Sequence, residues 1–530
     1  MDFFNKLLNY YSISSNEYEA KLKSDIFDEL DITSFKNAKK IADFIKKCIL
    51  EGKKILIYGD YDCDGIMSTS ILFLTIATDK FKPGFYIPNR ESDGYGLNKK
   101  NIDMFHKLGY EAIICVDNGI SLIDEVEYAK SLGIQCVILD HHKILKTLPK
   151  TEFIMHPEVD NIGDYNISAG EVCFFFSIVY LKKIDPYFLA LATLSTFSDL
   201  MPLISYNKIL ARKGLEAINQ YKFNEILLLL DNKSGLITED DLYLKAIPKI
   251  NSIGRICNDT LRFNIVRYFI RRNDEHKLSI LKWINNTNEY RKEIIKNSSD
   301  ENIVSSNNAI FFENENNEGI SGLIANSVLT KFKKPTFVYT KVKDNPSMIK
   351  GSARSYENFN IAEALQECSD ILENYGGHCC AGGFSLKISN LNEFEKRINE
   401  MAKELPILKK NLKSIVIDSS ELTLENYDIY RTFGPFGEGN EKPLFEIKKI
   451  PTDTLTFSKD NKHIILRLTF NTSIVYFNYD KSILNNKYLN FYGYLNVNSF
   501  NNNNSVQLIV TEAEAYKEDW PWKKLKKFKK

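Results

Sequence analysis

Between about residue 50 and residue 200 the chain alternates short apolar runs with polar loops and amphipathic stretches. Ile55-Leu56-Ile57-Tyr58, Ala112-Ile113-Ile114-Cys115-Val116 and Cys136-Val137-Ile138-Leu139 are unbroken runs of strand length, as buried strands require. Phe153-Ile154-Met155 reads as a shorter fourth. Runs of this kind separated by helical stretches predict a doubly wound α/β fold with a parallel sheet. Ahead of it, Ile41, Phe44, Ile45 and Cys48 recur at helical spacing, so residues 1–50 are expected to be a helical segment. Residues 205–300 read as helices, and the charged stretch from Asn273 to Lys296 is expected to connect two domains.

A second α/β unit follows. Asn308 to Phe312 and Thr336 to Tyr339 are its expected strands, around a helix near Gly322 to Lys331, and it closes at the loop Tyr375-Gly376-Gly377-His378. Past residue 405 the pattern turns to short strands: Lys413 to Ile417, Leu444 to Ile447, His463 to Phe470, Ile474 to Phe477, Tyr488 to Tyr494 and Val506 to Val510. Asn-rich and Gly-containing turns between them, with Asn501 to Asn504 as a hairpin tip, suggest a small β-barrel of OB type. The expected layout is a helical segment 1–50, a first α/β domain 51–270, a connecting helix 271–300, a second α/β domain 301–404, an OB-like domain 405–516 and a basic tail 517–530.

Composition adds limits. A chain of 530 residues is too long for one core, and 44% hydrophobic with 26% charged residues is ordinary for a soluble protein. The start, Met-Asp-Phe-Phe-Asn-Lys, is unlike a signal peptide, and no apolar run approaches 18 residues, so a cytoplasmic protein without membrane contact is expected. The nine cysteines include no C-x-x-C pair, which argues for buried reduced thiols and against structural zinc. Cys379-Cys380 is a vicinal pair that cannot bridge without strain. Zero net charge argues against a basic DNA coat but leaves room for a local basic groove. The tail from Lys523 to Lys530, after Trp520 and Trp522, reads either as a solubilising terminus or as a basic-aromatic contact for nucleic acid or a partner.

The chemistry lies where the strands end. Asp60-Tyr61-Asp62-Cys63-Asp64-Gly65 follows the first strand, Asp117-Asn118-Gly119 the second and Asp140-His141-His142 the third. Any one of these has an ordinary reading: an acidic loop caps a helix, Asp-Asn-Gly is a good turn, and paired histidines occur on surfaces. Parallel strands, however, present their carboxyl ends at one edge, where ligands bind. So many acids at one place repel each other unless a cation lies among them. Carboxylate with imidazole suits Mn²⁺, Mg²⁺ or Zn²⁺, and the excess of acid favours Mn²⁺ or Mg²⁺. There are more acids than one ion needs, and two ions suit in-line attack of water on a phosphoester.

These motifs resemble the DHH phosphoesterases, named for the triplet seen here at Asp140-His141-His142, and within that family the single-strand-specific 5′→3′ exonucleases. The resemblance runs through Tyr58-Gly59-Asp60-Tyr61-Asp62-Cys63-Asp64-Gly65, Val116-Asp117-Asn118-Gly119 and Leu139-Asp140-His141-His142 to a fourth motif, Thr196 to Leu203, carrying Asp199. Ile87-Pro88-Asn89-Arg90, Gly94-Tyr95-Gly96-Leu97, Ser168-Ala169-Gly170 and Ile250 to Arg255 also match. So do Gly351 to Ser355, Gly376-Gly377-His378 and Pro435 to Asn440. The ordered set spans roughly residues 50 to 515, which makes the two α/β domains the DHH catalytic and DHH-associated domains.

The resemblance implies that Asp62, Asp64, Asp117, His141 and Asp199 ligate two divalent ions, Mn²⁺ or Mg²⁺, with Asp117 between them. Asp60, Asp140 and His142 would support the ligands or handle protons; a ligating or phosphate-contacting His142 is left open. Arg90, Arg255, Ser352 and Arg354 match phosphate-contacting positions, while His378 is either a substrate contact or part of a structural turn. The implied activity is hydrolysis of single-stranded DNA from the 5′ end to mononucleotides, in repair and recombination. The enzyme would be a monomer, with single-strand-binding protein and a helicase as partners. Two other readings stay open: an oligonucleotide or cyclic-dinucleotide phosphodiesterase of the same superfamily, and a non-catalytic replisome scaffold. One departure stands out, Asn317 where this branch carries a histidine.

Overall fold

The computed structural model describes residues 2–516 apart from 30, 91, 145–146, 163–165, 232–234, 258–259, 272–275, 301–306, 316–317, 344, 404–412 and 501–502. Asn317, residues 501–502 of the expected hairpin tip and the basic tail therefore lie outside the described residues. The chain forms two compact units. One comprises Leu30–Met201 with Lys213–Leu408, the other Met1–Glu29 and Pro202–Arg212 with Lys409–Lys530.

In the first unit, β1 (Lys54–Tyr58), β2 (Gly84–Tyr86), β3 (Tyr110–Val116), β4 (Gln135–Leu139) and β5 (Ile154–Met155) form an all-parallel sheet in the order β2-β1-β3-β4-β5. The chain steps outward from β1 to β2 on one side and from β3 to β5 on the other. The topological switch point, where the strand order reverses and a crevice opens at the carboxyl ends, thus falls between β1 and β3. The hydrophobic pattern shows β1, β3, β4 and β5 but not β2, whose three residues are too few to carry a period. Helix Cys63–Ile76 is buried on nearly every face, under helices Ala169–Leu181 and Pro186–Ser198. That accounts for its lack of a polar side.

The same unit holds a second sheet of β6 (Ile310–Glu313), β7 (Thr336–Val342), β8 (Asn345–Arg354), β9 (Asn374–Gly377) and β10 (Ala381–Lys387), in the order β6-β7-β8-β10-β9. β6 and β7 are parallel and the other pairs antiparallel. The glycine-rich stretch expected as a loop is in part the exposed edge strand β9. Glycine has no side chain to pack, so the strand leaves no hydrophobic signal. The helix expected over 271–300 spans Lys277–Asp300. Its Ile294 and Ile295 share a core with Ile256 on one side and Ile310, Ile320 and Ile324 on the other, so the helix packs against both α/β domains.

In the second unit, β11 (Ser414–Val416), β12 (Leu444–Pro451), β13 (His463–Thr469), β14 (Thr472–Phe477), β15 (Tyr488–Phe500) and β16 (Asn503–Ala515) form one sheet in the order β11-β12-β15-β16-β14-β13. The expected 1–50 segment divides here. Helix Phe3–Tyr11 buries Phe3, Leu7 and Leu8 in the core of the β unit, with Phe3 stacked 5.8 Å from Phe445, whereas Lys36–Leu50 lies in the first unit. Each helix has an apolar face of its own, and a local period does not say which distant surface will cover it. Among the described residues no helix is long and apolar enough to cross a membrane.

Candidate metal centre

The strand ends on either side of the switch point carry the acids. Asp60 leaves β1 and is buried. Asp62 caps helix Cys63–Ile76, accepting from Gly65 N at 3.1 Å. Cys63 N donates to Asn251 Oδ1 at 2.8 Å, which ties this loop to helix Ile247–Ile256. The helix comes close enough that a Cβ on Gly254 would stand 2.1 Å from Tyr61 O, so only glycine fits there.

Asp64 turns into the fold. Its carboxylate accepts from Gly170 N at 2.8 Å and Ala169 N at 2.9 Å, at the start of helix Ala169–Leu181, and from Ser195 Oγ. A helix N-terminus is a natural partner for a buried carboxylate. Asp117 follows β3 with φ of 61°, a left-handed conformation that Asp tolerates better than most residues, and its N–H donates to Leu139 O at 3.1 Å. Asp199 caps helix Pro186–Ser198.

His141 stands at the middle. Its Nε2 lies 3.3 Å from Asp117 Oδ1 and 3.6 Å from both Asp64 Oδ2 and Asp199 Oδ2, yet it is buried with no hydrogen-bond partner. Burial, above all, lowers its pKa, so the ring favours the neutral form with a lone pair to offer. Burial and then Asp64 raise Asp117 well above the carboxylate range; burial and then Asp62 do the same to Asp60. Asp199 is pushed up to about 8 by burial, Asp64 and Asp62. Acids this frustrated, facing an orphaned imidazole nitrogen, have the donor chemistry of a divalent-ion site.

Ligand atoms within 4.8 Å of one another fall into three overlapping groups: Asp64, His141 and Asp199; Asp60, Asp62 and Asp117; and Asp117, Asp140, His141 and His142. Asp117 links two of the groups. Asp60 falls in one such group, and Asp140 and His142 in another.

Asp140 is wholly buried and works through hydrogen bonds. Oδ2 accepts from Ile120 N at 2.9 Å, and Oδ1 from His141 N at 2.7 Å, His142 N at 3.2 Å and His142 Nδ1 at 2.8 Å. Burial alone would raise it, but the bond and charge of His142 outweigh that and hold it below the usual range. Conversely, burial would lower His142, and the Asp140 bond instead raises it to about 9. Asp140→Asn presents an amide to these donors. Loss of a partner of this kind costs about 10- to 100-fold in activity or metal affinity. The His142 pKa is expected to fall back towards about 6.5, followed by an NMR titration of its ring proton; an unmoved titration excludes the role.

The DHH family N-terminal domain model matches residues 54–196, the DHHA1 domain model 305–404 and the RecJ OB domain model 415–512. The chain is a RecJ-type member of the DHH family. It is 28% identical over 516 residues to the single-stranded-DNA-specific exonuclease RecJ of Bacillus subtilis (strain 168), a match covering 92% of this chain and 64% of that relative. Its match to the Escherichia coli (strain K12) protein of the same name is 27% over 453 residues, 77% of each. The chain therefore spans a little under two thirds of the Bacillus relative's length. The fold matches RecJ in complex with Mn²⁺ from Thermus thermophilus at a TM-score of 0.76 and 20% identity, covering 93% of this chain and 74% of that one.

Beside the acids of this DHH-family chain stand arginines. A cavity of about 240 Å³ is lined by Asp60, Asp62, Asp117, His142 and Asp199 and also by Arg90 and Arg255. Arg90 lies over the Tyr61 ring at 5.5 Å. Arg255 is lowered to about 10 by burial and then by the charge of Arg90, with Arg291 and Arg354 adding to it. Among the described residues none of the four is paired with a carboxylate; Arg255 reaches Gly319 O at 3.3 Å and Arg354 reaches Ala353 O at 2.8 Å. Ser352 and Arg354, at the end of β8, both approach Gly322. His378 is different: it stands on the exposed turn after β9, and among the described residues it makes no hydrogen bond or ion pair to the acidic cluster.

Several residues had no role assigned from the sequence, although Tyr95 and Asn251 lie in segments that match the family. Tyr95 donates to Asp117 O at 3.1 Å and lies 3.2 Å from each His142 ring nitrogen. Ser195, Asn251 and Arg291 are further members. The Ser168-to-Glu171 spacing of a capping box is legible and could have marked the helix start that holds Asp64. Arg291, one charge among many on helix Lys277–Asp300, carries no such signal.

Proposed function

We propose that this chain is a metal-dependent exonuclease that hydrolyses single-stranded DNA from its 5′ end to mononucleotides. One observation carries the reading: a cluster of buried acids around an orphaned imidazole shares its cavity with Arg90 and Arg255, which among the described residues pair with no carboxylate. Each cluster is unfavourable alone, and a phosphodiester bridging divalent cations and arginines satisfies both.

In this reading Asp62, Asp64, Asp117, His141 and Asp199 would hold two divalent ions, Mn²⁺ or Mg²⁺, with Asp117 the residue common to two of the ligand groups and Asp60 beside it in one. When bound, the ions polarise a phosphoryl oxygen and make water more acidic. The chain's own groups do the rest. The start of helix Ala169–Leu181 and Ser195 hold Asp64 as an oriented carboxylate. Asp140 holds His142 protonated at neutral pH, with an N–H to offer a developing negative charge. Arg90, Arg255, Ser352 and Arg354 receive a further phosphate. A terminal phosphate carries more charge than a diester, so these arginines favour a strand end over an internal linkage; the 5′ polarity is what the family resemblance implies. His378 is kept as a candidate substrate contact.

Single-stranded DNA is the substrate, repair and recombination the setting, and a monomeric cytoplasmic enzyme working with a single-strand-binding protein and a helicase the wider context. The OB-type unit weighs against an enzyme for cyclic dinucleotides, and the full acid set weighs against a scaffold. With Mn²⁺, a 5′-labelled single strand is expected to release labelled mononucleotide from the first turnover, while blunt duplex is spared. Loss of a 3′ label at the same rate, or faster turnover of a cyclic dinucleotide, overturns the reading.

A further inference from the structure

All nine cysteines are described. Six are buried and Cys257 is half-buried; Cys379 and Cys380 alone are exposed. Their Sγ atoms lie 3.6 Å apart. The turn that carries them is firmly held. Cys379 O accepts from Ile361 N and Cys380 O from Ser355 N, both at 2.9 Å, and His378 N donates to Ala381 O at 2.8 Å. Gly377 adopts φ of 149°, and a Cβ there would meet Ala381 O at 2.3 Å, so the turn cannot be rebuilt with another residue at that position.

A structural disulfide does not fit. Consecutive Cα atoms are about 3.8 Å apart, below the span of about 4.4 Å at which ordinary disulfides begin, so a closed pair would be strained and easily reduced. An ion fits better. Two thiolates on a tetrahedral ion, each bonded at about 2.3 Å, stand about 3.8 Å apart. The two sulfurs already hold nearly that separation. They also sit beside the phosphate-binding strand: Ser355 directly follows Arg354, and Arg354 pairs with Ala381 across β8 and β10.

We propose that Cys379 and Cys380 form a two-thiolate site for a thiophilic ion, trivalent arsenic or a zinc-group cation, and that its occupation obstructs substrate at the neighbouring Arg354. Binding stands by itself; the effect on hydrolysis rests on the nuclease reading. Phenylarsine oxide, applied to the full chain, is the probe. Two As–S bonds form and the oxide oxygen leaves as water with both thiol protons, without electron transfer.

Intact mass is expected to show one phenylarsenic group, with the exposed-thiol count falling from two to none and excess ethanedithiol reversing both. Cys379→Ser and Cys380→Ser should each abolish the adduct. Hydrolysis of single-stranded DNA by the treated wild type should fall at least about tenfold, while the double serine variant is indifferent to the reagent. No adduct, or an equal adduct on the serine variants, overturns the site. An adduct with unchanged hydrolysis overturns the obstruction. If the untreated chain hydrolyses nothing, the nuclease reading fails, and the mass and thiol counts still decide the site.

Discussion

Asp117→Asn is expected to lower hydrolysis of single-stranded DNA by at least about a thousandfold, the loss of several kcal/mol of transition-state stabilisation that follows if Asp117 is shared between two metal ions as proposed. Asparagine is the informative substitution. It tolerates the left-handed backbone of 61° as Asp117 does, whereas alanine would add strain unrelated to chemistry. It also removes a buried acid whose ionised form is disfavoured by burial and by Asp64, Asp62 and Asp60. The metal-free variant should therefore melt no lower than the metal-free wild type, while the gain in Tm on adding Mn²⁺ shrinks. Steady-state hydrolysis with paired melts, with and without Mn²⁺, checks both. Activity within tenfold of wild type would remove Asp117 from the centre.

Without metal, the first unit is expected to lose stability as pH rises from about 6 to about 9. Asp199 binds its proton up to about 8 in the folded chain but only to an ordinary carboxylate value when unfolded, so the folded state holds more protons across that interval and raising pH works against it. Asp60, Asp62 and Asp117, all raised by burial first, act in the same direction. His142, raised to about 9, adds stability that is full below about 6.5 and lost through 9. Asp140, held low, contributes above the usual carboxylate range and fails only in acid, outside this window. Divalent cation replaces the lost protons. At a hundredfold excess over Kd each site adds about 2.7 kcal/mol, a rise in Tm of several degrees that should be larger at pH 8 than at pH 6. Chelation should abolish hydrolysis. Scanning calorimetry at three pH values, with chelator or Mn²⁺, is decisive: a metal-free Tm that climbs with pH contradicts the cluster as described.

Most of this centre is legible along the chain because its parts are local. Asp60 to Asp64, Asp117 and Asp140 to His142 each sit immediately after an apolar run, and parallel strands must present those ends at one edge. Asp199 was reached only through the resemblance, since it ends a helix rather than a strand. The second sheet was half legible: β6 and β7 are apolar, while β8 and β9 are polar or glycine-rich and owe their place to pairing with β7 and β10.

The arginines aside, which came through the resemblance, the alternating α/β order, the acid-bearing strand ends and the paired histidines are readable along the chain. These follow from local periodicity and from side-chain chemistry that needs no partner to be recognised. Tertiary structure alone decided that β2 lies outside β1, putting the switch point between the two acidic loops. It decided too that a helix start holds Asp64, that Arg291 stands with Arg255, and that the first two helices belong to the β unit. Each of these depends on which distant surface covers an apolar face or an unpaired edge, and residues near in space but remote along the chain leave no period to read.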